Sequence, residues 1–187
     1  MEHLDIEFRR IQKCDLELLR QWRMQPDITK YMNTDPQITV EDQKNWYNHI
    51  MQQKDEYYWI IVVDNVKVGL ASLVEPDLKN RRIHTGVYVA VKEKRSLRLI
   101  LDIQWNLYSF AFDRLGYHKV CEEVFSLNKP VLRILDMCGS KREGELRNHV
   151  FKNGIYYDVT VRGILQNEWN EMKESLNYNI VKIEEYK

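Results

Sequence analysis

Two acids stand side by side at Glu122 and Glu123, inside the β-rich run Val120 to Phe125. Successive strand residues point to opposite faces, so on a strand covered on both sides at least one carboxylate must face a polar cavity, where it could act as a general base; the alternative is a pairing with a nearby Arg or Lys. Tyr88 lies in a second apolar run, Ile83 to Val91, where a buried phenol needs a partner and could orient a substrate or pass a proton through water. His84 and His149 could act as bases but stand singly, as structural or solvent-facing histidines do. Asn128, just past the paired acids, could bond amide groups without ionising, or cap the helix that Lys129-Pro130 would open. Lys92, Lys94, Arg95 and Arg98 gather where a long helical pattern begins. A helix start flanked by cations offers the N–H donors and positive field that a phosphate needs, although a solvated loop explains the same charges. Near the start of the chain Arg23 could pair with a diphosphate, and Trp46 or Tyr31 could stack on a ring; Trp22 and Trp46 fit core positions equally well.

Metal chemistry finds no pattern to support it. Cys14, Cys121 and Cys138 are odd in number and widely spaced, which suggests neither a disulfide framework nor a zinc site, and Cys121 reads as a packed hydrophobe, not a nucleophile. Lys and Arg total 28 and Asp and Glu total 28, so no global field favours nucleic acid or anionic lipid. The acidic start Met1-Glu2-His3-Leu4-Asp5 and the absence of an apolar run of about 20 residues predict neither secretion nor a membrane span, and a reducing cytoplasm is the expected setting.

The elements that must position these groups follow from periodicity and turn chemistry. Residues 6–11 read as a strand, and Asp15 as the cap of a helix carrying Leu16, Leu18, Leu19 and Trp22 that stops at Pro26. Thr39 with Asp42 predicts a capping box for a helix burying Trp46 and Ile50. Asp64-Asn65 predicts a tight hairpin turn between residues 57–63 and 67–74, and Asn153-Gly154 another between residues 145–151 and 155–164. A long helix over 96–115 stops at Gly116, another stops at Gly139, and a last one covers 167–176. The loose segments should be 77–82 and the tail 177–187. One domain over 1–187 is expected, of α/β (α+β) class, with a mixed, mostly antiparallel sheet covered by helices.

That order of elements, with Trp22-Arg23-Met24-Gln25-Pro26-Asp27-Ile28 near the start, Phe110-Ala111-Phe112-Asp113-Arg114-Leu115-Gly116-Tyr117 at the end of the long helix, then Asn128, Glu143-Gly144-Glu145-Leu146-Arg147-Asn148-His149 and Tyr157-Asp158-Val159, resembles the Gcn5-related N-acetyltransferases. The resemblance is to the branch that holds ribosomal-protein and sugar-nucleotide acetyltransferases. Within it, Trp-Arg-x-x-Pro-x-Ile followed by Tyr31-Met32 is similar to enzymes that acetylate the 4-amino group of a UDP-linked amino-dideoxy sugar on the pseudaminic-acid route. It implies a V-shaped splay between the strands at 83–91 and 120–125, helices on both sheet faces, and a C-terminal hairpin and helix. It also implies acetyl-CoA as co-substrate, direct transfer to an amine, and no metal.

The same resemblance implies roles. Glu123 would be the base, because it matches the branch's Glu-Val-x-x-x-Asn pattern, and Tyr88 would assist catalysis. Backbone groups at Val89 and Val91 would meet the acyl arm, with Arg95, Ser96, Arg98 and Asn128 along the cofactor. Arg23, Met32 and Trp46 would wall the acceptor. Against this pattern, the family's phosphate-loop glycines are replaced, Arg98 and Ile100 standing in their places, Leu135 stands where a tyrosine is common, and Ser140 replaces an aromatic residue. Acetylation of a protein N-terminus or other small amine, and a noncatalytic binding module of the same fold, are the competing readings. The late hairpin could extend the sheet across a two-fold axis, giving a homodimer.

Overall fold

The computed structural model describes residues 4–185. Its strands are β1 (Ile6–Arg10), β2 (Tyr57–Val63), β3 (Val66–Asp77), β4 (Arg82–Val89), β5 (Lys119–Phe125), β6 (Lys141–Lys152), β7 (Ile155–Leu165) and the two-residue β8 (Lys182–Ile183). Its helices are α1 (Leu16–Arg23), α2 (Pro26–Thr29), α3 (Val40–Ile50), α4 (Leu97–Ser109), α5 (Lys129–Met137) and α6 (Gln166–Lys173). Among the described residues the strands form one eight-stranded sheet, ordered β6-β7-β5-β4-β3-β2-β1-β8. Its neighbours are antiparallel except at β1–β8 and β4–β5, so the expected mixed, mostly antiparallel architecture is what the chain adopts.

Local chemistry explains most boundaries. Asp64 and Asn65 take φ of 50° and 65°, and Asn153 and Gly154 take 51° and 79°, the positive pair that matches a two-residue hairpin turn to strand twist. Asp42 N donates to Thr39 Oγ1 at 3.1 Å while Thr39 N donates back to Asp42 Oδ2 at 2.9 Å, completing the capping box of α3. Pro26 opens the one-turn α2 as well as following α1, because proline at the first helical position loses no hydrogen bond. Residues 77–82 are tied rather than loose: Asp77 accepts from Asn80 N at 2.9 Å and from Arg82 Nε at 3.1 Å as β3 turns into β4.

The segment after residue 177 also departs from expectation. It runs back along the sheet, where β8 pairs in parallel with β1 and Trp59 Nε1 donates to the Glu184 carbonyl at 2.8 Å. Asn179 binds the buried Asp102 through its backbone N–H at 3.2 Å and its carboxamide at 2.8 Å. The long central helix ends at Ser109 and passes into a π turn over Phe110–Arg114 before Gly116 stops it at φ 71°.

Two apolar layers result, one on each face of the sheet. On one face α4 and α6 cover Trp59, Leu73 and Ile83, with Tyr108, Phe112 and Trp169 filling the space between. On the other, Leu19 and Trp22 of α1 and Ile50 of α3 close over Ile60, Leu70 and Ala90. Full burial of side chains such as Leu19 or Ile60 contributes about 2 kcal/mol each.

Asp15 is completely buried under this second layer, where it binds Arg9 Nη2 at 2.8 and 2.9 Å, Lys67 Nζ at 2.7 Å and Gln12 N at 2.8 Å. Burial pushes its carboxyl upward, but these donors outweigh burial and hold it below the ordinary aspartate range. A lowered native pKa adds stability above the unfolded value, about 3.9, and that stability disappears as pH falls through the native value. Asp15→Ala is therefore expected to cost about 3 kcal/mol in urea unfolding at pH 7, and the gap between parent and variant should shrink as pH falls below about 4.

Candidate active site

The geometry of the site begins with an incomplete ladder. β4 and β5 run parallel, yet they pair only at Arg82–Lys119, Ile83–Val120 and His84–Cys121. From Thr85 and Glu122 onward the strands diverge, each remaining paired on its outer side, β4 with β3 and β5 with β7. This is a fork in the middle of the sheet, with one inward row of β4 backbone groups left unbonded by a neighbouring strand.

The far end of β4 is drawn away from β5. The Ala90 and Val91 N–H groups both donate to the Val68 carbonyl, at 2.7 and 3.2 Å. Gly69 makes this approach possible, since a Cβ there would fall 2.1 Å from the Tyr88 carbonyl oxygen and 2.9 Å from Val89 Cα. Because alternate strand residues turn their N–H groups to opposite sides, the Ala90 bond to β3 directs the Val89 N–H into the fork. The Val91 amide, expected to meet the acyl arm, is instead committed to Val68.

The cationic turn is organised internally. Arg95 donates from Nε to the Val89 carbonyl at 2.8 Å and from Nη2 to Asp27 Oδ2 at 2.7 Å, so it braces the end of β4 against α2. Ser96 caps α4, its Oγ accepting from Leu99 N at 3.2 Å. Arg98 reaches one turn forward, Nε to Asp102 Oδ2 at 3.0 Å, and Ile100 packs against the main core. Asn128 is buried at the start of α5, where its backbone carbonyl accepts from Leu132 N at 3.1 Å. Its carboxamide does not cap the helix.

The paired acids divide as alternation requires. Glu122 is buried on the α4 face, accepting from Gln104 Nε2 at 3.0 Å and from the hydroxyls of Tyr108 and Ser140. Burial pushes its carboxyl upward, against the pull of these three donors and of Arg162. Glu123, the residue taken as base, is exposed on the opposite face. His84 pairs with Cys121, so Glu123, two residues on, shares the face of His84 and Tyr88.

That face holds a cavity of about 400 Å³ lined by Arg23, Trp46, Tyr58, Leu70 and Tyr88, among others. Trp46 and Tyr58 meet edge to face at 5.6 Å. Arg23 donates from Nη2 to Thr34 Oγ1 at 2.9 Å, while its Nη1 is buried without a hydrogen-bond partner. Burial pushes the Arg23 pKa down, and burial pushes the Tyr88 phenol well above its ordinary value. Met32, expected in the wall, packs into the α1–α3 layer, and its carbonyl accepts from Lys152 Nζ at 3.0 Å. The same ammonium binds the Thr29 carbonyl at 2.6 Å and Asp35 at 3.0 Å, so the β6–β7 hairpin tip secures the loop over the cavity. Thr29, Lys152 and Asn153 hold the Asp35 carboxyl down to about 2.

Sequence reasoning missed Gln104, Tyr108, Tyr58 and Gly69. A signal for the first existed: Asp102, Gln104 and Asn106 interrupt an apolar run and are all buried, so each had to serve a fixed partner. Among the described residues no group of three or more His, Cys, Asp or Glu is placed to hold a metal, and no helix is long and apolar enough to cross a membrane.

A mixed sheet forked between two parallel central strands, with a cavity on one face that Tyr88 of the forked strand β4 helps to line, is the frame of an acyltransferase. Residues 5–141 match the Acetyltransferase (GNAT) domain, and the chain belongs to that family: it is an acetyltransferase that uses acetyl-CoA. It is 32% identical over 133 residues to the SPbeta prophage-derived uncharacterized N-acetyltransferase YokL of Bacillus subtilis, covering 70% of this chain and 73% of that one. The spermidine N(1)-acetyltransferase of Vibrio cholerae is 23% identical over 172 residues, 90% of this chain and 98% of the relative. A crystal structure of spermidine N-acetyltransferase from Vibrio cholerae with CoA and spermine superposes with a TM-score of 0.79 at 22% identity, over 89% of this chain and 98% of that one. Acetyltransferase PseH of Campylobacter jejuni is 23% identical over 128 residues, 68% and 77% of the two chains.

Since the Asn128 side chain contributes no cap, Asn128→Ala should leave the melting temperature within a few degrees of the parent and weaken acetyl-CoA binding about tenfold in calorimetry. A large stability loss with unchanged affinity would give the carboxamide a purely structural role.

Proposed function

We propose that this chain transfers the acetyl group of acetyl-CoA directly to a primary amine held in the Arg23–Trp46–Tyr88 cavity, and that the acceptor is the 4-amino group of a UDP-linked amino-dideoxy sugar. The observation that carries the reading is the meeting of the two spaces at one strand end. Val89 turns its N–H into the fork, and its neighbour Tyr88 turns its ring into the cavity. Acetyl-CoA supplies an activated acyl carbon. The amine nitrogen forms a bond to that carbon as the carbon–sulfur bond breaks, and the thiolate leaves with the electron pair.

The chain's residues divide this work. The Val89 N–H is the donor placed to stabilise the developing oxyanion. Glu123, on the cavity face, takes the proton from the acceptor ammonium. Tyr88 remains protonated near neutrality because burial raises its pKa, so its hydroxyl donates a hydrogen bond that steadies the departing thiolate and does not serve as a base. Arg98 binds Asp102 through Nε, and its two Nη groups, with the Ser96-capped start of α4, serve the diphosphate end of the carrier. β6 ends the sheet as an exposed twelve-residue edge, which supports pairing of two copies through the late hairpin.

Similarity to spermidine acetyltransferases offers polyamines as the alternative acceptor. Arg23 favours an anionic one. A cationic wall gives a polycation no attraction, and Asp42, the acid lining the same cavity, is already bonded to Thr39. A phosphate beside the guanidinium would supply the anion that burial makes valuable.

Thiol release measured over a panel of amines tests the reading. A UDP-linked 4-amino sugar should give saturable release, and Arg23→Gln should raise its KM about tenfold while leaving the KM for acetyl-CoA unchanged. Tyr88→Phe and Glu123→Gln should each lower kcat about tenfold or more without weakening acetyl-CoA binding. Spermidine turned over better than the sugar nucleotide, with Arg23→Gln neutral, would overturn the acceptor. Full turnover by Glu123→Gln across the pH profile would reject it as base, and failure to bind acetyl-CoA would overturn the reaction itself.

A further inference from the structure

The fork opens at Thr85 on β4 and Glu122 on β5, the first residues past the last paired couple. Beneath that point, on α4, lies Gln104. Its Nε2 donates to Thr85 Oγ1 at 3.3 Å and to Glu122 Oε1 at 3.0 Å, so one carboxamide touches both strands where their ladder stops. Glu122 is further fixed by Tyr108, one helical turn beyond Gln104, and by Ser140 at the entry to β6. Gln104, Glu122 and Ser140 are all buried, and the paired guanidinium behind them, Arg162, binds Asp136 and the Ser140 carbonyl.

A closed parallel ladder would continue with Thr85 beside Glu122. Here a side-chain bridge through α4 stands at that position, and the strand ends separate above it. The bridge is polar in a layer of Trp59, Ile83 and Ile103, where an unsatisfied amide or carboxylate is costly, so each member holds the others to one arrangement. Ser140 belongs to it, which gives the serine that replaces an aromatic residue in the family pattern a definite task.

We propose that Thr85, Gln104 and Glu122 form a positioning bridge that sets where the β4–β5 fork begins, and through it how deeply the acyl arm of acetyl-CoA seats beside Val89. None of the three touches the reacting atoms; they are positioning residues. The inference rests on acetyl-CoA entering the fork, as in the proposed reaction. It assigns the bridge to the carrier and not to the amine, because the bridge lies on the α4 face while the acceptor cavity lies on the other.

The test uses Thr85→Val, which removes one bond without changing shape, Thr85→Ser, which restores the hydroxyl, Gln104→Leu, and the double variant Thr85→Val/Gln104→Leu. Calorimetry with acetyl-CoA is paired with steady-state kinetics and melting curves. Thr85→Val should raise the acetyl-CoA dissociation constant and KM about threefold to tenfold, leave the amine KM unchanged, and shift melting little. Thr85→Ser should return to the parent value, and the double variant should bind no more weakly than Gln104→Leu alone. Parental affinity in Thr85→Val, additive effects in the double variant, or a change confined to the amine KM would overturn the bridge while leaving the reaction standing. If the parent chain binds no acetyl-CoA, both the reaction and the bridge fall.

Discussion

Two parallel strands that cease bonding after three residues leave an inward row of β4 backbone groups that no neighbouring strand pairs. Buried backbone polar groups are almost always paired, so a sheet interior that stops pairing without collapsing must be held open from outside the gap. In this chain the restraint comes from both directions. On one side Gly69 admits the β4 backbone so closely that Ala90 and Val91 share the Val68 carbonyl, pulling the strand end toward β3. On the other, β5 is tied along its whole length to β7, from Lys119–Leu165 to Phe125–Val159. The gap is a consequence of stronger commitments elsewhere, and it is the space that the proposed reaction gives to the acyl carrier.

The two faces of the sheet then acquire different chemistry. The α4 face is aromatic, and on it Gln104, Tyr108 and Ser140 converge on the buried Glu122. The α1–α3 face keeps a cavity in which Arg23 has an unsatisfied nitrogen and Tyr88 a phenol whose ionisation burial suppresses. Adjacent residues Glu122 and Glu123 divide between the two faces, one locked under a helix and its neighbour exposed on the cavity side.

What could be read from residues alone was what local chemistry decides. The turns at Asp64-Asn65 and Asn153-Gly154, the Thr39–Asp42 box and the glycine stops at 116 and 139 depend on a few neighbouring dihedrals, and each formed where expected. Alternation required Glu122 and Glu123 to face opposite ways, but not which side α4 would cover. The cationic turn was visible as charge and opaque as structure. Arg95 and Arg98 look free in sequence, whereas their partners, Asp27 across the fold and Asp102 one turn on, draw them inward. The last strand was invisible because two residues carry no periodicity, and it exists only because β1 offers an edge.

That last strand has a bearing on how the chain comes into being. Asp102 is a fully buried residue of α4, and two of its bonds come from Asn179, while Asn106 takes up the Val181 amide and the Asn179 carbonyl. During synthesis the helix that flanks the fork is made some seventy residues before these partners, at a growth rate of roughly 5–20 residues per second. For several seconds a desolvated carboxylate and carboxamide must wait, hydrated, in a helix not yet able to bury them. The central helix thus takes its final setting only once the segment around Asn179 and Val181 has been made and has wrapped behind it.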